Sequence, residues 1–202
     1  MKRLFGVLIF TLLLGSLGAC SSDDSTTVTN TISAADVNDR EETILSTSTN
    51  ESFLFDYHNT DYDEVMVWVE KYESGELVDD QLGFVTTQAS EEGSIIVATA
   101  INDNDGEQTF LIGIGDEGGT SSASILDDNL GDAEHLSKVF GELPEDQILD
   151  NGEIVLADMA YINDDFGTSS ISNQFYEDPE AHMDELKEYD IVYLFKAEFT
   201  EE

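Results

Sequence analysis

Cysteine and positive charge are what this sequence most lacks. One cysteine in 202 residues means that no disulfide can form within the chain, so its core must hold without covalent staples. Seven lysines and arginines stand against 45 aspartates and glutamates, a formal charge of −38. A surface of that sign repels nucleic acid and other polyanions, which excludes a nucleic-acid partner. The acids are spread along the whole chain. That distribution favours a solvated acidic shell, screened by salt within ~8 Å at physiological strength, over a surface built to collect divalent cations or a basic partner.

The little positive charge there is includes Lys2 and Arg3, directly before an apolar run from Leu4 to Leu17. A cationic start followed by a short apolar stretch is the order of an export signal, and the run falls short of the ~20 residues of a membrane span. Leu17-Gly18-Ala19-Cys20 follows at once, then Ser21-Ser22-Asp23-Asp24. This segment resembles the lipobox of bacterial lipoproteins, a branched residue and two small ones before a cysteine. The resemblance implies recognition of Leu17, Gly18 and Ala19 by the signal peptidase, and a diacylglycerol on Cys20 joined by an N-linked acyl chain such as palmitate. It also implies an extracytoplasmic protein held on the cell membrane or the outer membrane by that lipid. More than one acyl chain gives stable anchoring, and a lone cysteine in an exported chain has little other use. After cleavage, five basic residues remain against all 45 acids, five minus 45, a formal charge of −40.

About 183 residues then suit one domain with a core of ordinary size. From Ser21 to about Asn50 serine, threonine, aspartate and asparagine dominate, and the scattered Val28, Ile32, Val37 and Ile44-Leu45 set up no sustained period. The expected organisation is a signal peptide over 1–19, a lipidated flexible tether over 20–50 that spans roughly 30 Å as a random coil, and a β-sandwich over 51–202. A short helix within 34–45 is compatible with that tether.

From Phe53 short runs rich in Val, Ile, Phe, Tyr and Thr alternate with Gly, Asn and Asp turns, the signature of strands. Strands are expected at 52–58, 64–72, 81–88, 94–101, 108–114, 120–126, 153–161, 169–175 and 190–199, a spacing that suggests a mostly β protein, an antiparallel sandwich with one or two short helices. Ile191, Tyr193, Phe195, Ala197 and Phe199 share one face of the last strand, with Lys196 and Glu198 on the other. Val65, Val67 and Val69 likewise oppose Met66, Trp68 and Glu70, with Trp68 read as a core filler. Glu73-Ser74-Gly75-Glu76 and Asn102–Gly106 read as hairpin turns between antiparallel neighbours. Leu136, Val139 and Phe140 stand at helical spacing, and Asp178-Pro179-Glu180 reads as the capped start of a helix running to about Glu188.

The motifs are weak. Gly113-Ile114-Gly115-Asp116-Glu117-Gly118 has the spacing of a dinucleotide fingerprint, but that loop must open a helix, and here Gly119 and Thr120–Ser124 lead into another strand. Asp116 and Glu117 would also repel phosphate. The acidic turn at Asp103, Asp105 and Glu107 invites calcium, yet the EF-hand register fails: Gly106 at its sixth position puts Ile101 first and Ile112 twelfth. Asp127-Asp128, Asp132 and Glu134 form a second acidic cluster. Of the three histidines, His58, His135 and His182, the last shares a helical face with Glu185 but lacks a zinc-protease pattern. Ser121-Ser122 and Ser169-Ser170 lie outside any nucleophile elbow.

The segments Val67–Tyr72 and Phe175–Asp178 resemble small, uncharacterised lipoproteins of Bacillus-like bacteria, a resemblance that implies no particular activity. The expected function is therefore a membrane-anchored, non-catalytic module of the cell envelope that binds a protein, peptide or glycan. An extracytoplasmic divalent-cation binder and an envelope hydrolase are the alternatives. A binding surface should expose an apolar or aromatic centre, whereas a uniformly acidic surface would speak against one.

Overall fold

The computed structural model describes residues 30–59, 61–101, 106–131, 135–149, 153–163 and 169–201. Among the described residues, eleven strands form two antiparallel sheets. The first sheet has the order β7 (Gly119–Asp127), β6 (Gln108–Asp116), β5 (Glu92–Ala100), β2 (Thr49–His58), β1 (Thr31–Ala34) and β9 (Gln147–Ile148). The second runs β4 (Glu76–Gln88), β3 (Glu64–Glu73), β11 (Ile191–Thr200), β10 (Glu153–Ile162) and β8 (Ser137–Glu142). The mostly β, sandwich-like architecture read from the sequence is what the chain adopts.

Alternation decides which side of each sheet meets the other. Phe53, Phe55 and Tyr57 of β2, Ile95 and Val97 of β5, and Phe110, Ile112 and Ile114 of β6 are buried. They face Val65, Val67 and Val69 of β3 and Tyr193, Phe195, Ala197 and Phe199 of β11, which are buried as well. Aromatic pairs clamp the layers: Phe110 lies 4.7 Å from Tyr193 and 5.3 Å from Phe195, and Tyr57 lies 5.1 Å from Phe199, all tilted or edge-on. Such pairs add ~1 kcal/mol each beyond the area they bury.

Both expected hairpins are present as antiparallel neighbours, β3 with β4 and β5 with β6. The first closes through Ser74 and Gly75, both left-handed at φ 50° and 80°, the two-residue geometry whose twist suits antiparallel strands.

Three expectations differ from the structure. The domain begins before residue 51, because Thr31–Ala34 pairs with Phe55–His58 and seals Ile32 completely from solvent. The segment around Val139 is a strand, paired along Ala157–Ile162 of β10. Residues 169–175 do not form a strand: Ile171 is buried in the approach to a short helix, Asn173–Glu177. The short helix that the sequence allowed within 34–45 is present, as a capped Asp39–Ser46 (α1).

The helix Asn173–Glu177 (α2) leads into Pro179–His182 (α3) and a 3-10 segment, Met183–Glu188. Asp178 caps the α3 turn by accepting from the Ala181 amide, as the sequence suggested. No helix among the described residues is long and apolar enough to cross a membrane.

Candidate functional site

Three strands of the first sheet turn an outer face to solvent that differs from the rest of the molecule. Ser94, Ile96, Ala98 and Ala100 of β5, Thr109, Leu111, Gly113 and Gly115 of β6, and Thr120, Ser122, Ser124 and Leu126 of β7 alternate with the buried positions and so point outward. Glu92, at the start of β5, points outward as well; from Ser94 onward none of these positions is charged, in a chain where more than one residue in five is an acid. Ile96, Ala98, Leu111 and Gly113 floor a groove of about 420 Å³, rimmed on the β7 side by Thr120, Ser122 and Ser124. Its opposite wall is Leu45, Ser48 and Thr49, where α1 ends and β2 begins.

That wall follows from the sequence of α1. Asn38 starts the helix, accepting from the amides of Arg40 (3.0 Å) and Glu41 (3.2 Å), while Glu41 accepts from the Asn38 amide (3.0 Å). This reciprocal cap, with Asp39, Glu41 and Glu42 at the positive end of the helix dipole, keeps the acids at the N-terminus. The apolar Ile44 and Leu45 arrive beside the groove, and Ile44 stays 55% exposed. No residue of α1 is buried.

Small side chains shape the floor. A Cβ on Gly113 would come within 2.7 Å of the Ile96 side chain, so glycine there lets Ile96 lie across β6. No aromatic ring lines the groove.

The outer face of the second sheet has other chemistry. Lys196 stands 5.4 Å above the Trp68 ring and is paired with Glu70 at 3.2 Å and with Glu153. Trp68 and Tyr72 both donate to Glu70, at 3.2 and 2.7 Å. Trp68 is thus buried, but beneath this polar lid and not in the inter-sheet core. A cleft of about 680 Å³ beside them is lined by Glu153, Glu177, Asp178, Glu180, Met183 and Lys196 among others; its single cation is already bound by two carboxylates.

Two buried ionisable arrangements eluded the sequence reading. Lys71 continues the inward row of Val65, Val67 and Val69, and its ammonium bonds Asp127 at 2.8 Å across the sandwich, where Tyr193 donates to the same carboxylate at 2.6 Å. Burial alone would raise the Asp127 carboxyl, but the bonds from Lys71 and Tyr193 outweigh it and hold the group below its ordinary value. Asp158, fully buried on the outer side of β10, accepts from the Tyr176 hydroxyl of α2 through Oδ1, while Oδ2 has no hydrogen-bond partner among the described residues. Burial pushes this carboxyl up to about 6 despite the Tyr176 bond. The signal available in the sequence was alternation itself: Lys71 on a valine face, and one acid inside the run Val155–Ile162.

The candidates from the sequence are placed as follows. Cys20, with Leu17, Gly18 and Ala19, and the calcium candidates Asp103 and Asp105 lie outside the described residues, as do Asp132 and Glu134. Glu107 is described, just before β6. Among the described residues no three His, Cys, Asp or Glu side chains gather as a metal site. The glycine motif is a hairpin: Asp116 Oδ1 accepts from the amides of Gly118 (2.7 Å) and Gly119 (3.0 Å), occupying the N–H groups a phosphate would need. His58 is exposed beside Glu92 at 3.4 Å. His182 does reach Glu185, at 3.1 Å, and Glu185 also accepts from the Ser172 hydroxyl at 2.8 Å. A carboxylate between serine and histidine cannot serve as a relay, because the imidazole must touch the hydroxyl to take its proton.

An antiparallel β-sandwich with one almost uncharged outer face is the class these features define. The chain belongs to the YgaN domain family, which it matches over residues 31–199, from the first strand to the last. Searches of curated proteins and of solved structures find no match.

Proposed function

We propose that this protein is a lipid-anchored, non-catalytic module of the cell envelope that binds a partner through the groove on its first sheet. The supporting observation is the outer face of β5, β6 and β7, which carries no charge beyond Glu92 at the start of β5. Keeping acids off the outward positions around the groove, on a molecule otherwise rich in them, leaves a place where apolar surface can be desolvated without stripping water from carboxylates. A groove of about 420 Å³ is in the range of sites that hold a side-chain cluster or a short extended segment. Its aliphatic floor and hydroxyl rim, with no aromatic platform for sugar rings, favour a neutral peptide segment of a protein over a glycan.

The anchor rests on the lipobox residues Leu17 to Cys20, and it places the domain extracytoplasmically, on the cell membrane or the outer membrane. Metabolic labelling with an alkynyl palmitate should mark the intact chain and fail to mark Cys20→Ser; equal labelling of both would end the anchoring claim. For the groove, a photoreactive amino acid at Leu111 in living cells should give a discrete protein adduct that Ser122→Glu abolishes. The same probe at Glu76, on β4, serves as reference, and identical adducts at both positions would refute the groove as the binding site.

A further inference from the structure

Strand β7 forms one margin of the first sheet and has β6 as its only ladder partner among the described residues. Its nine residues stay in unbroken register with β6, contain no proline, and carry no charge from Gly119 to Leu126. Its outward positions Thr120, Ser122 and Ser124 are exposed, and Leu126 is 53% exposed. Exposed sheet edges usually carry a deterrent against pairing with another chain: a charge, a bulge, or extreme shortness. The other three edges have them. The ladder of β4 with β3 shifts register twice and β4 bears Glu76, Asp79 and Asp80; β8 is short and carries Lys138 and Glu142; β9 has two residues.

The geometry points to a second copy of this chain as the occupant of that edge, the two β7 strands pairing antiparallel about a two-fold axis at Ala123. Only that register uses all nine residues, with Gly119 opposite Asp127. It sets Ser122 opposite Ser124, Ala123 opposite its copy, and the exposed Leu126 opposite Thr120. The central side chains are small enough to offer no steric barrier. Net charge opposes self-association and so restricts where on the surface two copies can touch. Two molecules of net charge −38 repel wherever their carboxylates face each other, and β7 is the nine-residue edge along which they can meet with no charge opposed to charge between Thr120 and Leu126. Isologous pairing of this kind closes at two copies and removes the edge. It would join the two uncharged faces into one continuous surface that carries both grooves. The inference holds whether or not the groove binds a partner, because edge pairing uses the backbone of β7.

Sedimentation of the full chain carrying Cys20→Ser, across a sodium chloride series, tests this directly. A dimer that tightens as salt screens the two negative molecules is expected, weakened about tenfold or more by Ser122→Asp and by Ser124→Asp, which place like charges opposite one another. Gln81→Asp, on β4, should leave it unchanged. Ser122→Cys in the same background should be joined to its copy by a short bis-maleimide, and Gln81→Cys should not. A monomer at every salt concentration, or a dimer indifferent to Ser124→Asp, overturns the pairing, and a partner from outside the chain would then be the remaining claimant for β7.

Discussion

Lys71 and Asp127 are both 5% exposed in their side chains; the Lys71 ammonium also reaches Glu73 at 3.3 Å, but that carboxylate is 46% exposed, so Asp127 is its buried partner. Removing one partner of such a pair leaves a buried uncompensated charge, which costs ~3 kcal/mol or more. Lys71→Met should therefore lower unfolding stability by about 3 kcal/mol in chemical denaturation at neutral pH, and a loss below 1 kcal/mol would show that the pair contributes little. Because the Asp127 carboxyl sits below its ordinary value, the stability it contributes is present above the unfolded-state pKa and is lost on acidification. Asp158 works in the opposite direction. Its carboxyl rises from 3.8 to about 6, so the folded state favours the protonated form, and stability present at low pH is lost as pH rises through the folded value. The difference between acid and alkaline ends amounts to roughly 3 kcal/mol. Asp158→Asn should abolish that decline between pH 4 and pH 8 in melting temperature; parallel profiles for the two chains would refute it. Gly141 is matched to the same pair, since a Cβ there would stand 2.6 Å from the Tyr176 hydroxyl.

Among the elements, α1 contributes no buried residue and is held by its cap and its junction with β2. Asn38→Ala should fray this helix, a local loss of about 1 kcal/mol, visible as faster amide exchange over 40–46 with little change in global melting temperature. A fall in melting temperature equal to that of a core substitution would mean that α1 is part of the cooperative unit. The β3–β4 turn is less tolerant. Gly75 combines φ 80° with backbone of Lys187 3.1 Å from where a Cβ would sit, so Gly75→Ala should cost about 1–3 kcal/mol in denaturant. The elements that alternation misread share a cause. In β8, Val139 and Phe140 are both half-buried because the strand has the sandwich interior on one side and the region of α2 on the other; three apolar residues over five positions fit either period. Phe175 and Tyr176 are both buried for the same reason, as a short helix held against β10. Strand β1 offers one large apolar side chain, Ile32, too little for a pattern, and its order comes from pairing on both sides with β2 and β9.

For the whole molecule, two of the few cations, Lys71 and Lys196, are drawn into the structure, while Arg40, Lys138 and Lys187 stay exposed. Lys71 and Lys196 are paired with carboxylates between and upon the sheets, Lys138 donates to the buried Gln108 at 2.8 Å, and Lys187 pairs with Asp184. The surface is thus more one-sided than composition alone implies, and the uncharged face stands out further. Self-repulsion of that shell should make any salt stabilising: melting temperature rises with ionic strength, and calcium and magnesium at equal concentration act alike. A rise specific to calcium would instead place a site at the Asp103–Glu107 turn. By itself the sequence determined the class of fold, most strand positions and the antiparallel pairing of β3 with β4 and of β5 with β6, because alternation and turn residues are local and each is written in consecutive residues. Only the tertiary structure decided where the domain begins, which strand lies unguarded at an edge, which acids are buried, and that the uncharged residues of three separate strands share one face with the end of α1. Those properties depend on register and on which element covers which, and neither is fixed until the sheets pack.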